Sequence, residues 1–155
     1  MNLPVKKVYS SSAPFNGILK YIRDYAGSKS LSWKSFYLSN VSSTHSYYQS
    51  SDYPVTRDVD GEKLYWASNC QANDYFSVEF NDTYLLLESY VHRAYSSDYH
   101  PEWQILGSDD GVKWEIICNP RDFQQPSGSY VTLNFQCQAS APYRIIKYLP
   151  TQKRF

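Results

Sequence analysis

The chain has 155 residues and balanced charge, with 15 basic and 15 acidic side chains and a sequence pI near 6.8. This length allows one domain with its own hydrophobic core, and the lack of a basic excess excludes the usual nucleic-acid binder. Aromatic residues make up 17% of the chain and include 16 tyrosines, which suits β-strands and also a tyrosine-rich binding surface.

The sequence shows neither a targeting segment nor a membrane span. Residues 1–10 lack the apolar core of a secretory signal, and no run approaches about 18 apolar residues. Cys70, Cys118 and Cys137 lack the spacing of metal ligands. We therefore expect a cytoplasmic protein that does not insert into a membrane and whose three thiols stay reduced and partly buried.

The N-terminal part predicts a polar arm followed by a short helix. Residues 1–8 form the arm. Apolar residues then recur at helical spacing from Phe15 to Ile22, Ser11 or Ser12 can cap the helix, and residues 26–28 end it. We expect this helix to cover one end of the fold.

Beyond residue 30, alternation of apolar and polar residues predicts about eight short strands. The predicted strands are 31–38, 64–66, 75–80, 84–92, 103–108, 112–117, 130–137 and 143–149. In the third of these, we expect Phe76, Val78 and Phe80 to face the core and Ser77 and Glu79 to face outward. Short strands at this spacing predict an all-β, antiparallel sandwich.

The most informative segment is the hairpin predicted from His100 to Ile117. Its turn is Ser-Asp-Asp-Gly at 108–111, where Gly111 can adopt the positive φ that such a turn needs. Trp103 and Trp114 fall on comparable phases of the two strands. We therefore expect one large apolar face on this hairpin, covered by a second layer, because an isolated two-stranded ribbon is marginal in water.

This hairpin resembles the signature of the discoidin, or coagulation factor V/VIII C-type, domains. The pattern is Trp-x-Ile-x-Gly-Ser-Asp-Asp-Gly-x-x-Trp, and its fixed positions are Trp103, Gly107, Ser108, Asp110, Gly111 and Trp114. Residues 15–22 resemble the opening helix of many protist members, and 75–80 and 143–146 resemble two of the core strands. His100 precedes the signature as it does in many members, which favours a structural role for it.

The resemblance implies a single galactose-binding-like jelly roll of about eight strands with a short N-terminal helix. The sandwich would span 9–149, between the arm at 1–8 and a tail at 150–155. The family pattern continues with a closing strand that this tail does not supply, so an unpaired sheet edge is expected. Residues 5–9 could fill the vacancy, a partner chain could supply the strand, or the likeness could end before this point.

No group of residues forms a pattern for catalysis. His45, His92 and His100 are scattered, and the turn explains the adjacent carboxylates of Asp109 and Asp110. We therefore expect a protein that is not an enzyme and that has no cofactor.

An acidic stretch offers the one candidate for a metal ion. Asp58 and Asp60 begin the pattern of a calcium loop, but the later ligands of that pattern are missing. The stretch is interpreted either as a hard-cation site or as a solvated acidic turn.

Binding is expected to involve two predicted loops, 39–62 and 93–99. The resemblance implies that ligands bind at one end of the sandwich, where sugars meet aromatic rings and polar side chains. The candidate ligand-binding residues are Tyr47, Tyr48, Tyr53, Arg93, Tyr95 and Tyr99. Alternatively, these tyrosines pack across the loop bases or form a flat protein contact.

Two functions follow from these observations. The first is a non-catalytic, intracellular interaction or structural component of a larger assembly, which by resemblance could be cytoskeletal or ciliary. It rests on the neutral charge, the reduced thiols and the open sheet edge. The alternative is a cytosolic lectin that binds carbohydrate with the loops at one end of the sandwich.

Overall fold

The computed structural model describes residues 1, 4–8, 10–13, 17–42, 74–94, 101–124 and 131–152. Within these ranges the chain forms one α-helix, α1 (Ile18–Ser28), and one 3-10 turn (Trp33–Ser35). The strands are β1 (Tyr37–Val41), β2 (Phe76–Phe80), β3 (Ser89–Ala94), β4 (Glu102–Ser108), β5 (Glu115–Cys118), β6 (Val131–Gln136) and β7 (Ile145–Gln152). The strand predicted at 64–66 lies outside the described residues.

The seven strands form two antiparallel sheets. A five-stranded sheet has the order β1-β2-β7-β4-β5, and β3 pairs with β6 in a second, two-stranded sheet. Side chains from both sheets share one buried cluster, so the two sheets pack face to face. The prediction of an antiparallel β-sandwich is confirmed.

Strand β7 lies in the middle of the five-stranded sheet. On one side Ile146 pairs with Val78 of β2, and on the other side Leu149 pairs with Gln104 of β4. The last strand itself therefore presents no unpaired edge. Strand β7 also continues beyond the predicted boundary at 149, because Pro150 lies opposite Trp103 at a shift in register, where its missing N–H is tolerated.

Helix α1 begins later than the sequence predicted. Gly17 is its N-cap and provides no side-chain hydrogen bond. Ser11 and Ser12 do not cap it, because they lie in a separate turn that is closed by a hydrogen bond from the Ala13 amide to the Ser10 carbonyl (3.1 Å). The helix ends at Ser28, as predicted. The described part of the arm, 4–8, forms no strand.

Two hydrophobic clusters lie on the same face of the five-stranded sheet. The helix-side cluster lies beneath α1, and its buried members are Ile22, Tyr37, Val78 and Phe80. The tryptophan-side cluster lies beneath β3 and β6, and its buried members are Trp103, Ile105 and Ile117. Helix α1 packs on the helix-side cluster over β1 and β2, on a face of the five-stranded sheet.

The predicted strand at 31–38 is mostly wrong. The Ser32 hydroxyl accepts a hydrogen bond from the Lys34 amide (3.2 Å), which favours the 3-10 turn and delays β1 until Tyr37. Ser77 lies on the outer face, as predicted, but it is only 6% exposed. The Lys147 side chain, opposite Ser77 in the register, reaches the Tyr75 ring on the same face and covers Ser77.

The predicted strand at 84–92 divides into a connection and a strand. Residues 81–88 cross from one sheet to the other, with Leu85 packing on the helix-side cluster and Leu87 on the tryptophan-side cluster. Regular pairing starts at Ser89 and continues to Ala94. The apolar residues on both phases of this segment therefore reflect a crossing between layers and not a strand covered on two faces.

Candidate functional site

Three connections leave the sandwich at one end, called here the loop end. They join β1 to β2, β3 to β4 and β5 to β6. The register places Val41 opposite Phe76, Glu102 opposite Gln152 and Ala94 opposite Val131, so these strand ends share one side of the fold. The opposite end, called the turn end, carries the connections 81–88, 109–114 and 137–144.

The predicted ligand-binding tyrosines belong to two of the loop-end connections. Tyr47, Tyr48, Tyr53, Tyr95 and Tyr99 lie outside the described residues, as do Asp58, Asp60, His45 and His100. Arg93 was predicted in a loop, and this is wrong, because its backbone lies in β3 opposite Thr132. Regular pairing on β6 extends β3 by two residues before the connection begins.

The longest of these connections, between β1 and β2, is closed at its base by hydrogen bonds. The Ser42 amide donates to the Tyr75 carbonyl (2.9 Å), and the Tyr75 amide donates to the Ser42 hydroxyl oxygen (2.7 Å). The Ser42 hydroxyl also contacts Asp74, which is 7% exposed (3.1 Å to Oδ1). These bonds fix the two ends of the connection beside each other.

The other two connections are bound to each other. The Trp103 amide donates to the Pro120 carbonyl (3.3 Å), and the Phe123 amide donates to the Pro101 carbonyl (2.9 Å). The Phe123 ring packs edge-on against the Trp103 indole, with ring centroids 5.3 Å apart. The loop end therefore rests directly on the tryptophan-side cluster.

Trp103 lies at the centre of this support. It is fully buried, its indole N–H donates to the Tyr90 hydroxyl oxygen (2.7 Å), and the His92 ring stacks on it at 4.4 Å and 8°. Burial raises the pKa of Tyr90, so its hydroxyl stays protonated. Sequence reasoning gave His92 no role, although its even spacing from Tyr90 in a strand placed both side chains on one face.

The rest of the signature shapes the turn end. Gly111 has φ +76°, and its amide donates to the Ser108 hydroxyl oxygen (2.9 Å). Asp110 Oδ1 accepts from the amides of Val112 (2.8 Å) and Lys113 (2.9 Å), and these hydrogen bonds lower the Asp110 pKa. Gly107 lies against the Tyr143 ring, where no side chain would fit.

The two signature tryptophans lie on opposite faces of the sheet, so the predicted shared apolar face is wrong. The Lys147 ammonium lies 3.9 Å from the centre of the Trp114 ring and 4.6 Å from that of Tyr75. Lys147 alternates with residues that pack on Trp103, so Trp114 is on the outer face. The pairing across the turn explains the difference, because Gly107 lies opposite Glu115, so Trp114 falls opposite Ser108, which is out of phase with Trp103.

The described residues also bear on metal binding and membranes. In these parts of the chain, no group of three or more His, Cys, Asp or Glu side chains is placed to hold a metal ion. No helix of the described ranges has the length and apolar character that crossing a bilayer requires, and α1 has 11 residues.

Comparison of the sequence finds no matching family model and no matching curated protein. Comparison of the structure finds carbohydrate-binding modules of family 32 from Clostridium perfringens. One such module, solved in complex with GalNAc-β-1,3-galactose, aligns with a TM-score of 0.52 and 15% identity over 76% of this chain and 85% of its own. A second, from NanJ and solved in complex with galactose, has a TM-score of 0.55 and 12% identity over 77% and 85%.

A third module of this kind comes from a family 31 glycoside hydrolase of the same organism. Its TM-score is 0.53 and its identity 12%, over 75% of this chain and 78% of its own. At such low identity these likenesses show the fold alone. The jelly-roll sandwich of the galactose-binding-like type, predicted from the hairpin signature, is confirmed.

Proposed function

We propose that this galactose-binding-like sandwich is a non-catalytic carbohydrate-binding module with its ligand site at the loop end. The observation that carries the proposal is the likeness to three carbohydrate-binding modules, two of them solved with galactose-containing ligands. Carbohydrate binding was the alternative hypothesis from sequence. It now becomes the leading one.

The construction of the loop end supports this function. The bases of its three connections are held by hydrogen bonds, and two of them also lie against the buried Trp103, which makes these bases a rigid support. The two tyrosine-bearing connections supply rings that offer a broad apolar contact with few rotatable bonds, together with a hydroxyl for hydrogen bonding. Sugar rings have complementary apolar faces and hydroxyl rims.

The expected affinity for one sugar unit is low. A monosaccharide has about 12 non-hydrogen atoms, and at about 0.35 kcal/mol per atom its binding free energy is about 4 kcal/mol. This corresponds to a Kd of about 1 mM. Binding must therefore be measured at millimolar ligand.

The test is an NMR titration of the whole chain with galactose and N-acetylgalactosamine. Each candidate is replaced by alanine in turn: Tyr47, Tyr48, Tyr53, Arg93, Tyr95 and Tyr99. We expect saturable binding, and at least one of these variants should weaken it by about tenfold or more, which is the effect of losing one good contact. Tyr84→Ala is the matched control, because Tyr84 is 62% exposed and lies at the turn end.

Two results would refute the proposal. One is the absence of binding to either sugar at about 20 mM, a concentration well above the expected Kd, together with no binding to any member of a glycan array. The other is binding that Tyr84→Ala abolishes while the loop-end variants retain it. That result would place the sugar site elsewhere on the molecule.

The first sequence hypothesis, an intracellular component of a cytoskeletal or ciliary assembly, has weaker support. It drew in part on an unpaired sheet edge, and the last strand, β7, is paired on both sides. A protein partner, the cytoplasmic location and a protist-type lineage remain predictions from the sequence.

A further inference from the structure

Two cysteines face each other across the two layers of the sandwich. Cys118 ends β5 in the five-stranded sheet, and Cys137 directly follows β6 in the two-stranded sheet. Both are half-buried and pack against the tryptophan-side cluster. The Cys118 thiol lies 3.5 Å from the Gln136 carbonyl oxygen, on the peptide group that leads into Cys137.

The surroundings hold both thiols in place. The Tyr90 hydroxyl donates to Cys118 Sγ (3.8 Å), and the Cys137 amide donates to the Glu88 carbonyl (2.8 Å). Burial raises the pKa of the Cys137 thiol, and the neighbouring Cys118 thiol, by charge repulsion and a hydrogen bond, acts in the same direction. The two thiols therefore pack on the same cluster, and Cys118 Sγ approaches the peptide group that precedes Cys137. A disulfide needs the two Cα atoms to lie within about 7 Å of each other.

We propose that Cys118 and Cys137 form an interlayer disulfide when the protein meets a small disulfide oxidant such as oxidised glutathione. One protein thiol loses its proton, and its thiolate attacks a glutathione sulfur, which breaks that S–S bond and releases one glutathione thiolate. The second protein thiolate then attacks the protein sulfur of the mixed disulfide and releases the other glutathione. The two cysteines are oxidised, and one oxidised glutathione is reduced to two thiols.

The bond would tie the two sheets together beside the tryptophan-side cluster. It would close a covalent ring that contains the connection 119–130 and strand β6, whose ends the fold already holds in position. Exchange in the folded protein should be slow at neutral pH and faster at higher pH, because burial keeps Cys137 in its unreactive thiol form. The expectation of permanently reduced thiols would then apply only to reducing surroundings.

The experiment treats the folded, reduced chain with oxidised glutathione at about pH 8.5, which favours thiolate formation. The sample is then alkylated and analysed by intact mass and by peptide mapping. We expect the loss of two hydrogen masses, a peptide that links Cys118 to Cys137, and an alkylated Cys70. The melting temperature should rise by roughly 6 to 12 °C for a ring of this size.

Variants separate this bond from other oxidation products. Cys70→Ala should oxidise like the natural chain, whereas Cys118→Ser should give only a glutathione adduct. The proposal is overturned by separate glutathione adducts on Cys118 and Cys137, by a linkage that includes Cys70, or by thiols that all remain free. If Cys118→Ser does not fold, the peptide map of the Cys70→Ala variant decides between the same outcomes.

Discussion

Gly107 gives the sharpest test of how the signature hairpin packs. A Cβ built on this residue would lie 2.6 Å from Cγ of the Tyr143 ring and 2.8 Å from Cδ1 of Ile117. Carbon atoms in contact are normally about 3.5–4.0 Å apart, so an alanine would overlap the ring by about 1 Å. The ring cannot bend, and it is also held by the hydrogen bond from its hydroxyl to the Glu115 carboxylate.

We therefore expect Gly107→Ala to lower the free energy of unfolding by about 2–3 kcal/mol, which is the usual cost of overpacking a core. For a domain of this size the melting temperature should fall by roughly 4 to 12 °C. The measurement is urea denaturation followed by tryptophan fluorescence, together with a thermal melt. Gly27→Ala is the matched control, because a Cβ there has no neighbour within 4 Å.

The control substitution should have the opposite effect on stability. Gly27 is an exposed residue of α1, and alanine there should raise the free energy of unfolding by about 0.5–1 kcal/mol. In a Tyr143→Ala background, the cost of Gly107→Ala should fall by at least about 1 kcal/mol, since the ring is gone. The reasoning is refuted if Gly107→Ala and the natural chain agree within about 0.5 kcal/mol.

Two further predictions concern single hydrogen-bonding groups. Tyr90→Phe removes the acceptor of the buried Trp103 indole N–H and should cost about 1–3 kcal/mol in chemical denaturation, and no loss of stability would contradict the role given to this pair. The Asp110 pKa is lowered in the folded state, so its carboxylate stabilises the protein above its unfolded pKa of about 3.9, and this contribution is lost as pH falls. Asp110→Asn should therefore reduce the fall in melting temperature between about pH 4 and 2. If the variant and the natural chain lose the same melting temperature over this pH range, the Asp110 carboxylate does not contribute to stability.

The fold could be predicted because its strongest signals are local. The turn at 108–111, the alternation in β2 and the spacing around Trp103 depend on residues close together in sequence. The central position of β7 could not be predicted in this way, because strand order depends on pairing between distant segments. Likewise, the face on which Trp114 lies is set by the pairing of Gly107 with Glu115 across the turn, and the alternation within each strand does not reveal that register.

The candidate site was predicted only as a region. A concentration of tyrosines in two connections indicated a surface for binding, and the resemblance to the discoidin domains implied that it lies at one end of the sandwich. The hydrogen bonds that close the base of the β1–β2 connection were missed, because Ser42 and Asp74 are 32 residues apart and neither belongs to a motif. Arg93 was misplaced because the length of β3 is set by its partner β6, and not by its own residues.

The position of β7 has a consequence for folding during synthesis. Strands β1 and β2 form one antiparallel pair, and β4 and β5 form another. Strand β7 lies between the two pairs and joins them into one sheet. Strand β7 is translated after both pairs. During synthesis each pair therefore keeps one unpaired strand edge until about residue 152 has left the ribosome. The five-stranded sheet should therefore form only after β7 has left the ribosome, and chaperones that shield exposed strand edges should bind the nascent chain before that point.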